Sequence, residues 1–279
     1  MLHAKFLRSP HANAAVKSVD VAPAKKIPGV VDVVTWEDAE LKNFGRRGGG
    51  MGFGGPSGPY IGNSANMEDE EVGVIVIAET EELCDEALSA LNPQWDVRPH
   101  VVDILEGRKE DAPVIRPIAG GGGGPAMGGA SKNPPPKGNV TFSVASRGDI
   151  EAGFKQADQI IEYDFNMPAF CGHIPNPPAS VAYWYDDPRY DPEKQSLRIE
   201  GAVWTASQGK DAVGGMYGLP PEKVSQEGLL QGGKYCDWGF RKTQEITPLL
   251  AKRVGRPVRM MVKRSEMYDF NMNQRFSHL

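Results

Sequence analysis

Trp204-Thr205-Ala206-Ser207-Gln208-Gly209, Gly232-Gly233-Lys234-Tyr235 and Leu249-Leu250-Ala251-Lys252-Arg253-Val254-Gly255-Arg256-Pro257-Val258-Arg259 follow one another near the end of the chain. The last piece closes a helix predicted from Thr247 to Val254. Pro248 suits the first helical position after a Thr247 cap, where its missing N–H costs nothing, and Gly255 supplies the stop. A strand, Val258 to Val262, is expected next. The first piece leads into a helix predicted from Gly209 to Tyr217. The paired glycines between them carry no Cβ, so another group can approach their backbone closely.

Outward from this stretch, the pattern to about Val140 repeats a plan of strands and helices. Asp149 is placed to cap a helix with Ile150, Phe154 and Ala157 on one face. Gln159 to Phe165, Ala179 to Tyr185 and Ser196 to Trp204 read as strands. Nearer the start, Leu2 to Arg8, Ala15 to Val21 and Val30 to Thr35 fit strands, and Val72 to Ala78 is a continuous apolar strand of the buried type. A helix follows it directly. Thr80 is its N-cap, Glu81 and Glu82 suit the positive end of its dipole, Leu83, Ala87, Leu88 and Leu91 recur at helical spacing, and Asn92-Pro93 stops it. Gly45 to Gly58 reads as a long loop, and Gly120 to Gly138, with Pro134-Pro135-Pro136, as a linker. Neither has the strand before it and the Lys-Ser or Lys-Thr helix after it that a phosphate loop needs.

A chain of 279 residues allows two ordinary domains. A formal net charge of −5 leaves no global basic face for nucleic acid. No apolar run reaches membrane-spanning length and the start lacks a signal peptide's apolar centre, so a cytoplasmic location is expected. The 3 cysteines, Cys84, Cys171 and Cys236, lie far apart and form no Cys-x-x-Cys pair, which argues for reduced thiols and against an iron–sulfur cluster or structural zinc in this chain.

The three opening pieces resemble, in order and spacing, the Ser-Thr-Gln, Gly-Gly-Gly-Phe-Gly and Leu-Ala-Lys-x-x-Gly-Arg-Pro-Val segments of the molybdopterin-binding subunit of the molybdenum hydroxylases, the xanthine oxidase and aldehyde oxidoreductase family. Leu7-Arg8-Ser9-Pro10-His11-Ala12, Ile27-Pro28-Gly29-Val30, Gly73 to Thr80 and Gly148-Asp149-Ile150-Glu151-Ala152-Gly153-Phe154 are similar to further family segments in the same order. The resemblance implies an α+β fold: an α/β hammerhead domain over 1–105, a Gly/Pro-rich linker over 106–139 and the first part of the molybdopterin-binding domain over 140–279.

It also implies a site. Gln208 falls on the glutamine that hydrogen-bonds an oxygen of the molybdenum centre. An amide suits that task because it donates without competing as a ligand. Gly232, Gly233 and Tyr235 fall on cofactor-binding positions beside the metal. No protein side chain is expected to ligate the metal, since the pterin dithiolene does so in this family. The general-base glutamate is expected outside this chain, leaving no catalytic residue within it. The implied cofactor is molybdopterin, with the cytosine dinucleotide among its forms, and iron–sulfur and FAD groups are expected on partner subunits. The expected partners are the remaining part of the molybdenum subunit, an iron–sulfur subunit, a flavin subunit and a small-molecule substrate. The implied reaction is water-derived hydroxylation of an aldehyde or heterocycle-type carbon.

Two segments depart from the family pattern. Lys234 and Cys236 replace glycines around Tyr235, and the position of a purine-binding glutamate is Gly239, which speaks against purine hydroxylation. Cys171-Gly172-His173-Ile174-Pro175 resembles the His-x-Pro-Met-Glu-Pro segment without its glutamate. These changes keep two alternatives open: a decayed, non-catalytic subunit and a molybdenum-dependent hydratase. A Cys171–His173 hydrolase has no third orienting residue, and His11 and His173 have no second ligand at metal spacing. Arg264-Ser265-Glu266 is expected to be a structural strand end with an ion pair. The family's large subunits continue for several hundred residues, so the chain is expected to be one piece of a split or truncated subunit, inactive by itself.

Overall fold

The computed structural model describes residues 1–42, 44, 61–115, 137–140, 148–167, 177–186, 195–201, 206–228, 242–268 and 277–278. In chain order its elements begin with β1 (Leu2–Arg8), β2 (Ala14–Ser18), α1 (Ala22–Lys25), β3 (Val30–Thr35), α2 (Ala39–Lys42), β4 (Ser64–Ala65), β5 (Glu71–Ala78), α3 (Glu81–Ala90) and β6 (Gln94–Val97). They continue with α4 (Ile104–Gly107), α5 (Ile150–Gln156), β7 (Asn166–Met167), β8 (Ala179–Tyr185), β9 (Ser196–Gly201), α6 (Ala206–Tyr217), β10 (Val224–Gly228), α7 (Lys242–Val254), β11 (Val258–Met261) and β12 (Ser277–His278). Two compact units result, one of residues 1–51, 58–98 and 172–272, the other of 52–57, 99–171 and 273–279.

The first unit is built on a seven-stranded sheet in the order β10-β9-β8-β11-β1-β5-β3. Strand β11 lies between β8 and β1 and runs parallel to β1, with Leu2 opposite Val258 and Ala4 opposite Met260. The pairings make β10, β9, β11, β1 and β3 run one way and β8 and β5 the other. Every residue of β5 is buried, as its unbroken apolar run requires of a strand covered on both faces. On one face Leu2, Ile77, Ala182, Leu197, Ile199 and Met260 pack with Val213 of α6 and Ile246 and Leu250 of α7. On the other, Val33, Val74, Val76 and Ala78 pack with Ala24 of α1 and Cys84, Ala87 and Leu91 from α3 and its end. Each fully buried aliphatic side chain contributes about 1.5–3 kcal/mol, so the two layers dominate this unit's stability. A second sheet, β4-β2-β6, is smaller.

Charged contacts fasten the late segments to the early ones. Arg253 of α7 donates to Asp32 at 2.7 Å, Asp38 at 3.1 Å and Glu40 at 3.0 Å. Lys263 and Lys5 both reach Asp85 at 2.9 Å, and Arg259 pairs with Glu81. Burial opposes ionisation of Asp32, yet hydrogen bonds from Arg253 and the Val33 amide hold its carboxyl below the usual range.

In the second unit Asp103 caps α4 and Asp149 caps α5. Asn139 ties the α4 region together, accepting from the Ile115 amide at 3.0 Å and donating to the Pro113 carbonyl at 2.9 Å. A two-strand pair, β7 with β12, completes it.

The structure departs from the sequence pattern in several elements. The helix before β11 starts at Lys242, and Pro248 lies inside it. Thr247 is therefore no N-cap; it is fully buried and its hydroxyl donates back to the Thr243 carbonyl. Packing of Ile246 and Leu250 against the sheet outweighs the local cost of the proline. Residues 159–165 are not a strand, and Ile160, Ile161, Tyr163 and Phe165 are exposed. Ile150 and Phe154 of α5 are exposed as well. The strand expected over Ala15 to Val21 ends at Ser18, because Asp20 accepts from the Ala22 amide and Pro23 opens α1. Thr80 caps α3 by accepting from the Leu83 amide, and Gly255, at φ 62°, ends α7 in the left-handed conformation. Gly45 to Gly58 and residues 120–136 lie outside the described residues.

Candidate functional site

Strands β9 and β10 are parallel neighbours joined through α6, a βαβ crossover. Gly214 of α6 sits close over the start of β10: a Cβ there would lie 3.0 Å from Val224 Cγ2. From that anchor the axial positions of other residues follow. Gln208 precedes Gly214 by six residues, about 9 Å along a helix. Gln226 and Gly228 lie beyond Val224 by about 7 and 13 Å along a strand. The backbone of Gln208, in the first turn of α6, is thus level with the last residues of β10. Gly232, Gly233 and Tyr235 follow Gly228 in the chain and lie outside the described residues, as do Lys234, Cys236, Cys171 and His173. The crossover therefore brings the backbone of Gln208 and the end of β10 at Gly228 to the same edge, outside the carboxyl ends of parallel strands, where α/β sheets place ligands.

The register defines the residues at this edge. Gly228, Gly201, Ser180 and Met260 form the last row across β10, β9, β8 and β11, and Gln226, Ile199, Ala182 and Val258 form the row behind it. Residues paired across strands and two apart along them share a face, here the face covered by α6 and α7. A Cβ on Gly201 would lie 2.5 Å from the Ala179 carbonyl oxygen, so β9 approaches β8 too closely for any side chain. Ser180 is 1% exposed and its hydroxyl has no hydrogen-bond partner. Both polar atoms of the Gln226 amide are buried and equally without partners. Of the other such atoms, Ser196 Oγ is at the start of β9 on the opposite edge, Thr243 Oγ1 is in the first turn of α7, and His3 Nδ1 on β1 lies 3.5 Å from Glu81.

Nearby carboxylates do different work. Burial pushes the Glu245 carboxyl of α7 up to about 7. Its backbone carbonyl accepts from the Tyr217 hydroxyl at 2.5 Å, and burial holds that phenol well above its ordinary value. A cleft of about 510 Å³ opens at the exit of β1, lined by Arg8, Ser9, Pro10, Glu68, Asp69 and Ser265. Arg8 donates there to the Asp69 carbonyl at 2.6 Å and to Glu71 at 3.3 Å, and lies 3.6 Å from Glu266. The Arg-Ser-Pro-His segment thus ties β1 to β5 and to the 3-10 turn Arg264–Tyr268. His11 packs edge-on against Trp95. Cys84 is a buried thiol that burial pushes up to about 12, unfit as a nucleophile. Among the described residues no group of three or more His, Cys, Asp or Glu could hold a metal ion, and no helix is long and apolar enough to cross a membrane.

Residues 1–99 match the family described as aldehyde oxidase and xanthine dehydrogenase, a/b hammerhead domain, and residues 133–276 match the molybdopterin cofactor-binding domain. The chain belongs to the molybdopterin-binding xanthine dehydrogenase family. Within it, a probable hypoxanthine oxidase of Escherichia coli (strain K12) is 32% identical over 184 residues, covering 58% of this chain and 19% of that protein. The nicotinate dehydrogenase large molybdopterin subunit of Eubacterium barkeri is 24% identical over 275 residues, covering 95% of this chain and 55% of its own. The fold matches CO dehydrogenase from Oligotropha carboxidovorans at a TM-score of 0.77 and 20% identity, over 100% of this chain and 33% of that one. It matches the aldehyde oxidoreductase from Desulfovibrio gigas at 0.75 and 20% identity, over 98% and 28%. The chain thus spans between a fifth and about half of the length of these relatives.

The residues at the edge fit the family's cofactor. A large polar heterocycle needs close backbone approach and buried donors and acceptors, and this edge ends β10 in Gly228 beside an unpaired hydroxyl and an unpaired amide. Sequence reading missed Ser180 and Gln226. Val224-Ser225-Gln226-Glu227 has too little apolar character to read as a strand, and only the α6 crossover makes it one.

Proposed function

We propose that this chain is part of the large subunit of a molybdopterin-dependent oxidoreductase that hydroxylates an aldehyde or heterocycle-type carbon with oxygen from water. The observation that supports the reading is the β9–α6–β10 crossover, which puts the backbone of Gln208 level with the end of β10 at Gly228. Residues 1–105 serve as the hammerhead domain, 106–139 as linker and 140–279 as part of the molybdopterin-binding domain. When bound, the cofactor supplies two-electron oxidation of the substrate carbon. Gln208 orients the reacting oxygen through its amide, and Gly232, Gly233 and Tyr235 shape the pocket floor. The remaining part of the subunit supplies the general base. Electrons leave to iron–sulfur and flavin partners, and the complex works in the cytoplasm with a cofactor form that includes the cytosine dinucleotide as an option.

Elemental analysis of material purified from the native host through a tag on this chain tests the reading. Molybdenum together with iron is the expected result; a metal-free chain without partners would overturn it in favour of a decayed subunit. Substrate-dependent reduction of a dye acceptor is expected of the hydroxylase and would be absent from a hydratase.

A further inference from the structure

Two side chains at the edge of the sheet hold buried polar atoms that the fold leaves unpaired. Ser180 and Gln226 lie on the face covered by α6 and α7, in the last and next-to-last rows of the sheet, and neither finds a hydrogen-bond partner for its side chain. A buried amide or hydroxyl left unpaired costs about 1–3 kcal/mol, and such groups are rare enough in folded proteins that each calls for an explanation. Apolar residues would serve the packing better. Their neighbours Ile199 and Leu197 on β9 and Ala182 on β8 are apolar and buried. The two polar positions are also the ones nearest the exits of β9 and β10, from which the chain runs to Gln208 and to Gly232.

We propose that Gln226 and Ser180 are binding residues for the pterin part of the cofactor. The inference rests on the molybdopterin reading above. The class of contact follows from the chemistry of the unpaired atoms. A phosphate offers acceptors only and would satisfy the Nε2 donor of Gln226 while leaving Oε1 unpaired. A pterin carries a lactam and an amino group on one ring, so a single edge offers a donor and an acceptor side by side, the complement of a primary amide. Ser180 Oγ, which both donates and accepts, adds a third contact. Ser180 lies in the last row with Gly201 and Gly228, and the backbone of Gln208 stands level with this row on α6.

The test uses the whole complex purified from its native host, with Gln226→Leu and Ser180→Ala made separately in this chain. Molybdenum per chain and the fluorescence of the released, oxidised pterin are measured, with the melting temperature of the same complex from a host unable to make the cofactor. Each variant is expected to lower molybdenum and pterin together by at least threefold. The cofactor-free complex is expected to melt at the wild-type temperature or above it, because an unpaired polar group has been removed. Wild-type occupancy in both variants would overturn the assignment and leave an internal water as the partner of these groups. A fall in the cofactor-free melt that matches the fall in occupancy would overturn it too, by making the residues structural. Should Gln226→Leu fail to fold, Gln226→Met, closer in shape, carries the same expectations. Absence of molybdopterin from the wild-type complex would instead sink the underlying cofactor reading, an outcome distinct from the others.

Discussion

Glu245 keeps its proton to about pH 7 because burial disfavours the carboxylate. Its folded pKa lies above its ordinary value of 4.5, so the unfolded chain releases the proton first, and stability falls as pH rises from about 4.5 through about 7. Glu245→Gln is therefore expected to raise the melting temperature at pH 8 and to change it little at pH 4.5; equal effects at both pH values would contradict this. Gly201 presents a steric constraint of another kind. An added methyl would meet the Ala179 carbonyl at 2.5 Å, so Gly201→Ala is expected to cost about 1–3 kcal/mol, read as a lowered urea midpoint. At this scale sequence reading was uneven. Thr80, Asp149 and Gly255 announced themselves, since capping chemistry is local. Gln226 did not, because a buried glutamine looks like a surface one until the register is known.

Helix α7 shows where local rules yield to packing. Thr247-Pro248 has the local chemistry of a helix start, yet the helix begins six residues earlier and the Pro248 carbonyl accepts from Trp184 Nε1 at 2.8 Å. Pro248→Ala returns an N–H to the helix ladder and is expected to raise the melting temperature by a few degrees, about 1 kcal/mol or more; a fall would mean that the ring's packing matters more than the missing bond. The same helix carries Arg253, whose three carboxylate partners come from β3 and the α2 region. Arg253→Ala is expected to cost about 1.5–3 kcal/mol at neutral pH. Asp32 is held below its ordinary value of 3.8, so its share of that stability is present above that pH and is lost as pH falls through the lower folded value. The gap between variant and wild type in urea titrations should accordingly narrow in strong acid. The buried β5 and the capped α3 were legible because one apolar run or one period defines each. Residues 159–165 carry strand-like alternation yet form no strand, since alternation shows which side chains could share a face without supplying a neighbour to pair with.

In the whole molecule, the seven-stranded sheet draws on the chain from both ends, and no local pattern shows that β11 fits between β1 and β8. That placement was beyond sequence reading, whereas the order of the motifs, and with it the family, was not. The second unit leaves Ile150, Phe154, Ile160, Ile161, Tyr163 and Phe165 exposed within sixteen residues of chain, and clustered exposed apolar side chains favour association. The purified chain alone is expected to self-associate in light scattering; a monomer with a cooperative melt at high temperature would refute this.

Leu2 pairs with Val258, a partner made 256 residues later. At bacterial or eukaryotic elongation rates of about 5–20 residues per second, the edge of β1 stands open for roughly 10–50 s while the ribosome reaches β11. Even after β5 has paired with its other edge, the nascent chain presents the β11-facing edge of a largely buried-type strand to its surroundings. Synthesis of this protein should consequently depend on chaperones that hold the emerging chain, and slowing translation should lower its soluble yield rather than improve it.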